Sequence, residues 1–156
     1  MYRFYLKQGE TQFLFPVTPS QVQTKVGNCN QTVQILQMGQ ANLLKNAGLE
    51  EVRFKALFPG RQYHFVQVEE GFREPSYFLE RLKDFKKAQK PVQLIIFRRL
   101  ADGSQIFCSN VEMGLEEYTI VEQGGEQGDF WVEISLKEYR KMQSIAYRPA
   151  SGGNTL

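Results

Sequence analysis

Two stretches of this chain alternate apolar and polar residues so strictly that they leave little choice of secondary structure. Val52, Phe54, Ala56 and Phe58 share one face of a two-residue period with Arg53 and Lys55 on the other, and Phe130, Val132, Ile134 and Leu136 repeat the pattern with Trp131, Glu133 and Ser135 opposite. Such alternation is the signature of a strand with one buried face. The first run stops at Pro59-Gly60, where proline removes a ladder donor and glycine frees the turn.

Further segments extend the β reading. Tyr2–Leu6 and Gln12–Val17 flank Gln8-Gly9-Glu10, which predicts a hairpin, and Pro16 and Pro19 then end pairing and redirect the chain. Gln31–Met38 and Ala41–Leu44 around Gly39 predict a second hairpin. Val92–Phe97 is apolar on both faces apart from Gln93, as in a strand covered twice. Gln105–Val111 and Leu115–Glu122 are two more expected strands.

The period changes once. Phe78, Leu79, Leu82, Phe85 and Ala88 fall at helical spacing, with charged residues between them. Pro75 suits a helix start, Lys86, Lys87 and Lys90 suit its C-terminal dipole, and Pro91 blocks extension. The expected helix covers about 76–89. The expected core is Val33, Ile35, Phe54, Val92, Leu94, Ile96, Phe130, Val132 and Ile134 against Leu82 and Phe85, with Phe97 also committed to it.

A chain of 156 residues that is 42% hydrophobic closes one core. The expected organisation is one β-rich domain over 1–147 and a flexible C-terminal tail over 148–156, because Pro149–Leu156 has too little apolar surface to order itself. A net charge of +2 gives no polybasic signature. No leader-like apolar run opens the sequence and none reaches the ~20 residues of a membrane span, so a soluble chain made in the cytosol is expected. Cys29 and Cys108 are read as small buried or half-buried thiols rather than a bridge. Asn30-Gln31-Thr32 fits a glycosylation triplet only incidentally.

Catalytic signatures do not emerge. His64, the one histidine, sits among aromatics in Gln62-Tyr63-His64-Phe65 and reads as a packing or surface residue. Neither cysteine comes with a base and an orienting group, and the phosphate-loop, dinucleotide and zinc motifs are missing. Glu116, Glu117, Glu122, Glu126 and Asp129 bring oxygen ligands near a flexible loop, but their spacing is not that of a calcium loop. Lys83, Lys86, Lys87, Lys90, Arg98 and Arg99 would form a positive edge where helix meets strand; a solvated face or an acidic partner explains it better than phosphate. The expectation is therefore no catalytic residue, no cofactor and no metal.

Phe15-Pro-Val-Thr-Pro19, Asn30–Ile35 with Gly39 and Asn42-Leu43, Arg53–Pro59, the helix 75–90 leading into Pro91–Ile96, and above all Leu115–Arg140 together resemble the N-terminal portion of XkdP-like, LysM-bearing baseplate proteins of contractile-tailed phages and prophages. The resemblance spans about residues 2–140. It implies a structural adaptor near the end of the tail tube, joining the inner tube or hub to surrounding baseplate proteins, in the virion tail baseplate after assembly in the host cytoplasm. It also implies partners among hub, tube and baseplate proteins, a homo-oligomeric ring of about six copies, and no membrane or nucleic-acid partner. The sequence departs from the family by ending after Ser151-Gly-Gly153 without a LysM module, so peptidoglycan contacts do not carry over.

The expected fold is mainly β (α+β), a small antiparallel barrel or two-sheet sandwich with one packed amphipathic helix, like the domains that build tail tubes. Candidate interface residues are Gly124, Gly125, Glu126, Gly128 and Asp129 in a loop longer than a minimal hairpin needs, and Arg148 and Pro149 at the tail. Loop and tail are expected to order on assembly. The rival readings are a nucleic-acid-binding β-barrel module and a cell-wall hydrolase accessory protein.

Overall fold

The computed structural model describes residues 2–125 and 128–142. Among these described residues, nine strands and one helix follow in chain order: β1 (Arg3–Gln8), β2 (Thr11–Leu14), β3 (Val22–Lys25), β4 (Gln31–Ile35), β5 (Gly39–Leu43), β6 (Glu51–Phe58), α1 (Pro75–Ala88), β7 (Val92–Arg99), β8 (Gln105–Glu122) and β9 (Phe130–Glu138). Seven of them form one antiparallel sheet in the order β2-β1-β7-β8-β9-β6-β3, and β4 and β5 pair only with each other. The mainly β fold with one packed helix is as expected. Its sheet is open at β2 and β3, and closure is by folding over rather than by hydrogen bonds between those edges.

The fold-over is made by β8. Its first half, Gln105–Met113, pairs with β7, and its second half, Met113–Glu122, pairs with β9. Bent strands that change partner are how a sheet turns a corner. A register shift lies between Leu115 and Glu117, leaving Glu116 as the extra residue of a bulge, which sharpens the bend. At Gly114 a Cβ would stand 3.3 Å from the Glu116 carboxylate. The sequence reading had two separate strands here; Glu112-Met-Gly114 is a corner within one.

α1 closes one side of the folded sheet. Pro75, Phe78, Leu82 and Phe85 are its buried face, and Ala88, expected on that face, is exposed. Lys86 Nζ donates to the carbonyl oxygens of Leu115, at 2.8 Å, and of Glu116, supplying a donor to backbone that the bulge removes from the ladder. Gln8 Nε2 donates to the Phe85 and Lys90 carbonyls at 3.2 and 3.0 Å, serving the free end of the helix.

The core is a phenylalanine cluster drawn from both halves of the sheet and from the helix. Phe58 stacks on Phe78 at 4.8 Å and on Phe15 at 6.0 Å between ring centroids. Phe13 meets Phe78 edge-on at 5.5 Å, and Phe4 of β1 reaches Phe54 of β6 at 6.2 Å. Val52, Phe54, Ala56, Phe58, Val92, Leu94, Ile96, Val132, Ile134 and Leu136 are buried as their alternation requires. Phe130 is half-buried against them.

Three expectations about packing are corrected. Val33 is only half-buried and Ile35 is 38% exposed, because their hairpin stands apart from the seven-stranded sheet. Phe97 is 40% exposed, since it falls on the outer face of β7, edge-on to Tyr5. Cys29 and Cys108 are free and exposed rather than buried; one lies in that outlying hairpin region and the other pairs with Phe97 on the outer face of β8.

Candidate assembly interface

The chain between β3 and β6 forms one long β-ribbon with two breaks. Lys25 pairs with Glu51, Asn28 with Ala47, and Gln31 with Leu43. At each break the returning side holds one residue more than the outgoing side, so the ribbon continues through two bulge-like irregularities. Gly48 N–H donates to the Gly27 carbonyl at 2.9 Å, and Cys29 N–H to the Asn46 carbonyl at 3.1 Å. Beyond this crossing the ribbon, residues 26–49, is an arm that leaves the body.

Cross-strand pairs share a face in an antiparallel ladder. Val33 pairs with Ala41 and Ile35 with Gly39, while Thr32 pairs with Asn42 and Gln34 with Gln40. The arm therefore has an aliphatic face and an amide face. Its tip is Leu36-Gln37-Met38, with Gln37 at φ 68° and Gly39 at φ 84°; a non-glycine residue at positive φ is uncommon. Leu36 and Met38 are 92% and 81% exposed. In the 24 positions from Val26 to Leu49, Lys45 is the one charged residue, in a chain that is 23% charged. Exposed aliphatic surface without charge is the composition of an interface core.

A clamp sets the arm's root. Glu138 accepts the Glu50 N–H at 3.0 Å, and the Glu138 N–H returns a bond to the Glu50 carbonyl at 2.7 Å. Arg140 binds Glu138 at 3.2 Å and reaches the Ala47 and Gly48 carbonyls at 3.4 Å. The Glu50 N–H, and then Arg140, hold the Glu138 carboxyl below the usual glutamate range.

Elsewhere Gly124, Gly125 and Gly128 are exposed, and Gly128 takes φ 80°. Asp129 is engaged within the fold, accepting from the Gly60 N–H at 2.8 Å and the Tyr63 hydroxyl at 3.0 Å. Glu126, Arg148 and Pro149, and with them the 147/148 domain boundary, lie outside the described residues. His64 is exposed and edge-on to Phe65 at 5.3 Å. The basic set does not form one edge: β7 carries Arg98 roughly 20 Å beyond Val92, where it donates to Ser109 and lies over Phe107. Local motifs do not single out the arm and its clamp; the sequence signal that points to the arm is its run of 24 residues with one charge.

A second surface opens where the two halves of the sheet part, beside the arm's root. This cleft of about 470 Å³ lies over the buried Phe4, Val52, Leu94 and Ile96, and its walls include Gln21, Val22, Val111, Glu50 and Arg98.

No family model matches the chain. A Bacillus subtilis (strain 168) protein, YqbP, described as uncharacterized, is 27% identical over 140 residues, which are 90% of this chain. The chain spans 60% of that relative's length. Among solved structures, the SPP1 tail tube determined by solid-state NMR and cryo-EM is similar, with a TM-score of 0.52 and 10% identity across 88% of this chain and 72% of that one. The fold of this chain is that of a phage tail tube protein.

Proposed function

We propose that this chain is a structural subunit of a phage tail, and more specifically an adaptor of a contractile-tail baseplate that joins the inner tube or hub to surrounding proteins. The observation that carries the reading is the likeness to a tail tube protein over 88% of the chain. The arm, with one charge in 24 residues and an aliphatic face, supports it, because a subunit that works by contact needs surface that is stable only when covered. The sequence resemblance to XkdP-like baseplate proteins supplies the finer placement. In this reading the chain is not an enzyme, sits in the virion, and acts as several copies in a closed ring of about six.

A reconstruction of tails assembled in the presence of this chain tests the reading. Several symmetry-related copies at the baseplate end of the tube are expected. Tails that assemble and contract normally without the chain, or that hold it as one asymmetric copy, overturn the adaptor role.

A further inference from the structure

We propose that the arm is a lever hinged at its root, and that the Glu138–Arg140 pair is the latch that fixes its angle to the body. The hinge lies where pairing is interrupted. Between the pairs Lys25–Glu51 and Asn28–Ala47 stand Val26 and Gly27 on one strand and Gly48, Leu49 and Glu50 on the other. Among the described residues one backbone bond crosses that gap, from the Gly48 N–H to the Gly27 carbonyl at 2.9 Å. Unequal strand lengths with a glycine on each side mark a place where a β-ribbon bends.

The core does not hold the arm. No residue from 26 to 49 is buried, and none belongs to the hydrophobic core or packs on its margin. Apolar packing therefore leaves the arm's angle open, and polar contacts at the root set it. Arg140 supplies them: its Nη1 donates to the Ala47 carbonyl and its Nη2 to the Gly48 carbonyl, both at 3.4 Å.

The guanidinium is itself held in place. Glu138, the last residue of β9, accepts from its Nε at 3.2 Å and its Nη2 at 3.3 Å, and the same carboxylate accepts the Glu50 N–H at 3.0 Å. The pair thus spans the gap on the returning strand, from Glu50 on the body side to Ala47 on the arm side. A planar guanidinium can bind a carboxylate and carbonyls at once in fixed directions, which the compact ammonium of a lysine does not reproduce. With the latch shut, the arm's aliphatic face is offered at one angle, and less ordering is left for the moment of contact.

The inference goes beyond the reading of the chain as a tail subunit and is tested on the isolated chain. In a Cys29→Ser, Cys108→Ser background, spin labels on Met38→Cys at the arm tip and Thr119→Cys on β8, both exposed positions, give an arm-to-body distance distribution by double electron–electron resonance. Labels on Met38→Cys and Leu44→Cys, both in the arm and about 20 Å apart along an extended strand, report the arm's own shape. Arg140→Gln should widen the arm-to-body distribution about twofold as the hinge takes up more angles, and leave the within-arm distribution unchanged. Glu138→Gln keeps an acceptor for the Glu50 N–H but loses the ion pair, and should widen the arm-to-body distribution less. An arm-to-body distribution no broader in Arg140→Gln than in the parent overturns the latch. A within-arm distribution that widens equally overturns the hinge, because Arg140 would then support the ribbon's fold rather than its angle.

Discussion

The body and the arm of this chain are built from the same local material and end in opposite circumstances. β9 and β4 both alternate apolar and polar residues, yet Val132, Ile134 and Leu136 are buried while Val33 is half-buried and Ile35 is exposed. The body covers its aliphatic faces with the other half of the folded sheet and with α1. The arm is two strands thick, and an isolated two-stranded ribbon is marginally stable in water. The difference shows that an alternating pattern specifies a face and says nothing of what will cover it.

The largest test of this contrast is in the core. Phe58→Ala should cost about 3–5 kcal/mol and Ile134→Ala about 2–5 kcal/mol, because both sites are fully packed. Leu36→Ala, an equally apolar truncation in the arm, should stay within about 0.5 kcal/mol. Denaturant melts of the three isolated variants read the contrast directly, and equal costs in arm and body would erase it.

Next comes the corner. Lys86→Met keeps the aliphatic stem but removes the donor to the Leu115 and Glu116 carbonyls, and should destabilise the fold by about 1 kcal/mol. Faster hydrogen exchange around the bulge should accompany the loss. Unchanged exchange there would show that water replaces the ammonium without cost.

A smaller effect is expected from excising the arm. Joining Asn28 to Ala47, which already pair, through an Asn-Gly turn gives a two-residue hairpin of favoured geometry. The melting midpoint should move by no more than about 0.5 kcal/mol in equivalent stability. A larger loss would mean that the arm is part of the body's fold.

The smallest effect is that of pH on the root clamp. Glu138 has a folded pKa below its unfolded value, so its contribution is complete above the unfolded glutamate pKa, about 4.3. It is lost as pH falls through the lower folded value. Protease cleavage within the arm should accelerate over that acid window, and Glu138→Gln should flatten the response. Identical pH profiles for the two proteins would remove Glu138 from the clamp.

Much of the body was legible from sequence. The helix came within one residue at each end, since period, Pro75 and Pro91 all act locally. The inward faces of β6 and β9 followed from alternation. What misled was distance along the chain: Phe97 is apolar and lies in an apolar run, but its position in β7 turns it outward. The short β3 has no pattern of its own and exists because β6 offers an edge. Of the candidate loop, the exposure of Gly124 and Gly125 could be inferred from composition. The partners of Asp129 could not, because Gly60 and Tyr63 lie more than sixty residues away in sequence.

By itself, the sequence determined the elements: which residues turn, which alternate, where one helix starts and stops, and that a single stretch is nearly free of charge. These are properties of neighbouring residues, set by backbone sterics and by the spacing of apolar side chains. Only the tertiary structure decided which apolar faces are covered. Burial is a contest among segments far apart in the chain, won where β8 bends the sheet onto itself and α1 closes the gap. It is left open on the arm, whose strands β4 and β5 pair with each other and not with the seven-stranded sheet.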